Sequence, residues 1–481
     1  MDGIYINHHI YESPPYMGRK TDITLDPFID KLLLVGWGMI CLISLGIIFI
    51  LKAPIIGIVF ACIPTFIGMV LKPSFALCLL MIALPVGTGI AVGNTFTLNK
   101  GVGYAVALSF LINLMMTRPS LDLRNKVLWL ALAYFLWTCF SSLIAPYINL
   151  EIQRIFTQVQ LMALFFIVYW ILTTNTPKTL IWMLRSFVLG SVVFIIISIA
   201  TGATMRVVEE GSQGRYTATL GNAINANLLA ALIALSLLCA VYLFLSEKSI
   251  IWKFLYLGST PLLAVMLIKT GSRGAIIALG LTLVSPIFFL LDAKKYTKLL
   301  FGLMFAMLLL VATVGYYFTH AYIEKDVFMR LTDIGYAKES IALRMETLRY
   351  AVEASVRWPF GTGHIAWFER SGASLFPHND LFFILGIYGI PGAFLFVFLV
   401  LGLLFSVKKV PSGHEKLISR SILIFLLIIG LKGMYISTKF YWIFLAISLS
   451  YQRLSVLFCE QEQSYSSQDE DYIMAHDDSL A

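Results

Sequence analysis

Apolar stretches of roughly 17–25 residues recur along this chain, each long enough to cross a bilayer as a helix. About fourteen are expected, near 32–51, 53–71, 74–92, 101–117, 127–145, 156–173, 179–201, 219–246, 252–269, 273–291, 298–318, 377–406, 417–433 and 435–452. Hydrocarbon offers no partner for exposed backbone, so a spanning segment is a helix or a closed barrel. Barrel strands alternate in segments of about ten residues. The run from Leu299 to Val311 does not alternate. The composition agrees: 59% of the 481 residues are hydrophobic and 13% charged, about half the charged share of a soluble domain. The expected fold is therefore all-α, a polytopic helical bundle of about 12–14 spans. A cytosolic enzyme, a secreted disulfide scaffold and a disordered hub are excluded. Pro54, Pro64, Pro73 and Pro85 make the segment 53–92 the place where a broken or re-entrant helix is expected.

Sidedness follows from the short loops. Alternate loops carry Arg118, Arg124 and Lys126; Lys178 and Arg185; Lys248 and Lys253; Lys294, Lys295 and Lys298; and Lys408, Lys409, Lys416 and Arg420. Lys and Arg mark the cytoplasmic side, so these loops and both termini are expected there. The expected organisation is a cytoplasmic segment 1–31, spans with short loops over 32–318, a large periplasmic loop 319–376, C-terminal spans 377–452 and a tail 453–481. The first 31 residues lack the basic-then-apolar order of a cleaved leader. The end, Glu460 to Ala481, is acidic and Ser-rich and reads as disordered. No cysteine falls in the large loop, no spacing suits zinc and no phosphate-binding glycine loop of a nucleotide-driven pump occurs. No metal or cofactor is expected.

Charge that does not set topology needs another reason, and the outer face holds four such places. Arg215 precedes a run containing Asn222, Asn225 and Asn227. The asparagines read as helix caps with Arg215 among headgroups, or as the rim of a polar cavity where Arg215 binds an anion. Ser272-Arg273-Gly274 sits between two spans, where backbone N–H groups and a guanidinium favour an anion; snorkelling is the plainer alternative. In the large loop, Ile341, Met345, Leu348 and Val352 recur at helical spacing. They predict an amphipathic helix on the outer face, ended by Pro359, with Arg349 and Arg357 solvated and Arg344 pointing inward. Finally, His378-Asn379-Asp380 opens a span, and His378 is either structural or a base near neutral pH. Together these predict a cationic external pocket with one titratable base. Arginines pair bidentately with phosphate, which suits displacement of a diphosphate leaving group.

These pieces, in this order, resemble the bacterial O-antigen ligase and O-antigen polymerase family. The resemblance rests on Arg215 with Leu220-Gly221-Asn222, on Ser272-Arg273-Gly274-Ala275, on Leu343-Arg344-Met345 through Trp358-Pro359-Phe360-Gly361-Thr362-Gly363, and on Pro377-His378-Asn379-Asp380 with Gly386, Tyr388-Gly389 and Gly392. It covers roughly 215–405. It implies an inner-membrane glycosyltransferase that takes a glycan from undecaprenyl diphosphate on the periplasmic face. The glycan passes, with inversion and without nucleotide or metal, to lipid A–core or to a lipid-linked repeat unit. By position, the resemblance implies that Arg215, Arg273 and Arg344 hold the diphosphate and that His378 acts as base or orients the acceptor. Arg154, Asn222, Ser272 and Asn379 support the site. His320 and His364 rank below His378 because neither opens a membrane helix. The partners implied are the lipid-linked glycan, its acceptor and membrane lipids, with no nucleic acid. The competing reading is a secondary transporter of an anionic solute, which calls for charges near mid-span.

Overall fold

The computed structural model describes residues 54–86, 91–92, 96–118, 123–201, 204–209, 212–218, 225–289, positions within 302–316, 335–410 and 414–454. Apart from two small hairpins and the connecting turns and loops, those residues are helical. The helices are α1 (Pro54–Leu71), α2 (Pro73–Val86), α3 (Leu98–Thr117), α4 (Lys126–Leu143), α5 (Ile148–Thr174), α6 (Pro177–Ala200), α7 (Ala226–Ser246), α8 (Ile250–Lys269), α9 (Arg273–Phe289), α10 (Gly335–Arg357), α11 (Trp367–Ser371), α12 (Asp380–Lys408) and α13 (His414–Lys432). A last helix, α14, covers 439–454. The hairpins pair β1 (Ala91–Val92) with β2 (Phe96–Thr97) and β3 (Thr204–Glu209) with β4 (Ser212–Ala218), both antiparallel.

Among the described residues, seven helices are long and apolar enough to cross a membrane: α3, α4, α5, Lys178–Ala200 of α6, α7, α8 and α12. Shorter apolar helices cover Cys62–Leu71, Pro73–Val86 and Arg273–Ser285. The protein is a polytopic helical membrane protein, as its apolar runs predict. The segment 53–92 resolves into two helices that meet at Lys72, with Pro73 opening the second; proline suits a first helical turn because its missing N–H would have no partner there. The span expected from 219 begins at Ala226, capped by Asn225, whose side chain accepts the Asn227 N–H at 2.9 Å. The expected span 32–51, the segment 1–31 and the tail from 455 lie outside the described residues.

Helix α7 is the hub, buried along nearly its whole length. It packs on α6, α8, α9 and α13. Around α14, Trp442 packs on Phe135 at 4.3 Å and on Phe165 at 5.8 Å. Lipid tails are as apolar as the core, so close packing and internal hydrogen bonds hold such helices together. Arg185, one of the cations expected to set topology, is internal. Its guanidinium pairs with Glu247 and lies between the Trp182 and Trp252 rings, at 4.7 and 4.4 Å.

Two features differ from the sequence expectation in a way that matters. The helix α10 forms, but its packed face is the small, polar one. Thr347, Ala351, Ala354 and Ser355 are buried, whereas Ile341, Met345 and Val352 are exposed. Small residues let α10 lie close against α12, which long aliphatic chains would prevent. And α12 is broken inside the bundle. Gly389 has φ 73 and ψ −173, outside helical geometry, so carbonyls of the preceding turn lose their helical donors. The loop after α10 supplies replacements: the Thr362 N–H donates to the Gly386 carbonyl at 3.1 Å and the Gly363 N–H to Ile387 at 3.1 Å. Trp137 Nε1 donates to the Tyr388 carbonyl at 2.8 Å, and the Ile390 N–H donates back to Pro359 at 2.9 Å. Irregular backbone at membrane depth is tolerated when protein satisfies it in this way.

A Cβ at 389 would lie 2.2 Å from the Pro359 carbonyl oxygen. Gly389→Ala should therefore destabilise the protein by at least about 1–3 kcal/mol from backbone strain alone, read as a lowered midpoint in detergent unfolding. Gly258→Ala in α8, where an added Cβ meets nothing within 4 Å, should be neutral or slightly stabilising.

Candidate active site

The site is built where three helix starts and one interhelical turn converge. Helix α8 ends at Lys269, and Gly271 (φ 62) reverses the chain so that α9 begins at once at Arg273. The Gly271 N–H closes this turn on the Ile268 carbonyl at 2.8 Å. Ser272 Oγ donates to Asn227 Oδ1 at 3.1 Å, tying the start of α9 to the first turn of α7. Arg273 is half-buried. Beside it, the Lys432 side chain crosses Gly274 so closely that a Cβ there would lie 2.1 Å from Lys432 Cδ. Glycine at 274 is what lets a second cation reach the start of α9.

Tyr435, in the turn between α13 and α14, is the common neighbour. Its hydroxyl donates to the Asn227 carbonyl at 3.2 Å. Its backbone N–H, with that of Ile436, donates to Asp380 Oδ1 at 2.7 and 2.9 Å. Asp380 is buried at the start of α12 and lies against Gly430, where a Cβ would be 2.5 Å from Oδ2. Asn379 is the α12 cap. Its Oδ1 accepts from Leu381 and Phe382 at 3.0 and 3.3 Å, while Nδ2 donates to the Leu431 carbonyl at 3.0 Å. Two adjacent residues thus staple the head of α12 to the end of α13, and His378 projects from that staple as an exposed side chain.

Arg344 faces the same turn from α10. It is half-buried and interacts electrostatically with Tyr435, and burial pushes its guanidinium below the ordinary value. Among the described residues no carboxylate pairs with it. A half-buried cation without an anionic partner is costly, and a bound anion would lift that cost.

Arg154 belongs to a second group. Its electrostatic neighbours are Glu151 and Tyr388, both within spans, and His364. Glu151 is buried and Oε1 accepts the Ile365 N–H at 2.6 Å; Gln158 Nε2 donates to the Tyr388 hydroxyl at 2.8 Å. His364 lies against Phe376 and Phe383, with ring centroids at 4.5 and 6.0 Å. Burial, with the Arg154 charge adding, lowers its pKa to about 4. His364 is therefore neutral at neutral pH.

Of the residues expected from sequence, Ser272, Arg273, Arg344, His378 and Asn379 are linked through Tyr435 and its neighbours. Arg154 has Glu151, Tyr388 and His364 as its electrostatic neighbours. Arg215 lies on β4, opposite Val207, in the hairpin that leads to α7, and Asn222 is outside the described residues. Lys432 and Tyr435 were not singled out for the site, and Asn227 and Asp380 entered only as neighbours of Arg215 and His378. Lys432 did carry a signal, as a cation on the side where the topology bias disfavours one; nothing in the spacing of Tyr435 marks it. No group of three or more His, Cys, Asp or Glu with metal-holding geometry occurs among the described residues.

Comparison with known proteins bears on this geometry. No curated protein matches the chain. A solved structure described as "Structural coordination of polymerization and crosslinking by a peptidoglycan synthase complex" contains a similar chain, at 14% identity and TM-score 0.38, covering 69% of this chain and 98% of that one. The O-antigen ligase family model matches residues 258–397, a segment that runs from α8 into α12 and contains Arg273, Arg344, His364, His378 and Asp380. That match supports the O-antigen ligase and polymerase family for this chain, and with it a membrane enzyme of surface-polysaccharide biosynthesis.

Proposed function

We propose that the chain transfers a glycan from a polyprenyl diphosphate, undecaprenyl diphosphate in a bacterial inner membrane, to an acceptor sugar on the periplasmic face. The observation that carries this is a cationic setting. Arg344 faces Tyr435, Lys432 crosses Gly274 beside Arg273, and Tyr435 is tied to the start of α9 through Asn227 and Ser272; among the described residues no carboxylate pairs with Arg344. A diphosphate diester carries about two negative charges, and guanidinium groups bind such oxygens in pairs. Arg273 sits at the first residue of α9, where the helix dipole adds to the attraction. Arg215, on the adjacent hairpin, is a third arginine for the same donor.

In this reading the acceptor hydroxyl gives its proton to His378 and attacks the anomeric carbon from the face opposite the diphosphate. The new carbon–oxygen bond forms as the bond to the diphosphate oxygen breaks. The leaving group's charge remains with Arg273, Arg344 and Lys432. One attack means one inversion, and one base suffices. The donor bond supplies the driving force, so neither nucleotide nor metal enters. Asn379 and Ser272 position the reacting groups: the first holds the turn that carries His378, and the second fixes the start of α9. The acceptor is either lipid A–core, making the enzyme a ligase, or a lipid-linked repeat unit, making it a polymerase.

Arg273→Ala and Arg344→Ala should each lower transfer by roughly 10²–10³-fold, and His378→Ala by roughly 10²–10⁴-fold, with the proteins inserted at wild-type levels. Surface polymer of normal amount and length from Arg273→Ala and His378→Ala would sink the reading. Purified protein given a lipid-linked repeat unit and a chelator should yield a ladder of products if it is a polymerase; transfer only after lipid A–core is added marks a ligase.

His364 gives a separate test. An imidazole held near pKa 4 stays neutral between about pH 5 and 8, so His364→Gln should leave the shape of the pH–rate profile unchanged across that range. Its folded value lies below the ordinary 6.5. The unfolded chain therefore takes up a proton that the folded one refuses, and the stability contributed above 6.5 is lost as pH falls to about 4. His364→Phe should flatten that part of the thermal stability curve.

A further inference from the structure

The end of the bundle opposite Asp380 holds a cavity of about 600 Å³. It lies between the start of α4, the end of α12 and the end of α14. Arg124, Lys126, Lys409 and Arg453 line it, and none of the described residues lining it is a carboxylate. Leu130 and Phe405 form an apolar wall along the same helices. Topology explains cations near helix ends. It does not explain four of them, from three separate parts of the chain, around one cavity beside an apolar wall. Like charges gathered so raise each other's electrostatic energy, and an anion between them reverses the sign. Cations at the mouth with hydrocarbon alongside complement a ligand that is a phosphate at one end and an acyl chain at the other.

We propose that this cavity binds an anionic phospholipid, its phosphate among Arg124, Lys126, Lys409 and Arg453 and its acyl chain against Leu130 and Phe405. The inference is independent of the glycan-transfer site, which lies at the other end of α12. The apolar wall selects a lipid over free phosphate. The chain also continues beyond Arg453 into the acidic stretch Glu460 to Ala481, a competitor that the test separates.

The test uses the full-length protein in mixed micelles, with retained lipid measured by native mass spectrometry against added phosphatidylglycerol or phosphatidylcholine. Phosphatidylglycerol should be retained preferentially. A cation near an anionic lipid contributes a set increment, so Lys126→Gln with Lys409→Gln should weaken retention roughly thirtyfold, while Lys126→Arg with Lys409→Arg keeps it. Should the Gln pair not fold, raising salt from about 0.05 to about 0.5 M on the wild type should expel phosphatidylglycerol selectively. Equal retention of the two lipids by the wild type, or insensitivity to both the Gln pair and salt, overturns the proposal. Displacement by an equal concentration of inorganic phosphate overturns the lipid assignment. A chain ending before Glu460 that gains more than tenfold in phosphatidylglycerol affinity names the tail as occupant, and overturns it too.

Discussion

The break in α12 at Gly389 is the constraint on which the packing of α10 and the loop after it depends. An unbroken helix would satisfy its own backbone and offer the loop after α10 nothing to bind. Breaking it exposes carbonyls where no water can pair with them, and among the described residues Thr362, Gly363 and Trp137 donate to them. That requirement fixes the loop 358–363 against α12. It thereby fixes the end of α10, and Arg344 with it. Glycine at 389 is needed twice, for a backbone conformation that side chains disfavour and for the approach of Pro359.

A second set of ties turns this scaffold into a site. Asp380 and Asn379, at the head of α12, hold the turn after α13 through backbone groups. Tyr435 in that turn reaches Asn227 on α7, and Asn227 reaches Ser272 beside Arg273. Every link is a neutral or charge-assisted hydrogen bond in a setting of low dielectric, where such bonds are strong and their absence is expensive. Among the described residues no carboxylate pairs with Arg344, which leaves it available to a donor. The residues that set the geometry are therefore different from those that would do the chemistry.

The sequence reading was most successful where one physical rule acts alone. Apolar length predicted helices, and α3 to α8 and α12 follow it. Asn225 reads as a cap and is one. Ile341, Met345, Leu348 and Val352 pattern as the apolar stripe of an amphipathic helix, but α10 packs on protein through Thr347, Ala351 and Ala354. Periodicity finds a stripe without saying which stripe meets protein; beside a membrane, an apolar face has more than one apolar surface to meet. Arg185 was misread for a related reason, because a cation at a helix end and a cation paired inside a bundle look alike in one dimension.

By itself, then, the sequence determined the class of solvent and the helical fold, since each follows from local composition and hydrocarbon's refusal of unpaired backbone. It did not carry Tyr435 as a hub, Lys432 crossing Gly274, or the grouping of Arg154 with Glu151, Tyr388 and His364. Those depend on contacts between residues far apart in the chain, such as Asn227 with Tyr435 and Asp380 with Ile436. Only packing brings such residues to hydrogen-bonding distance, and packing is decided by the whole bundle at once.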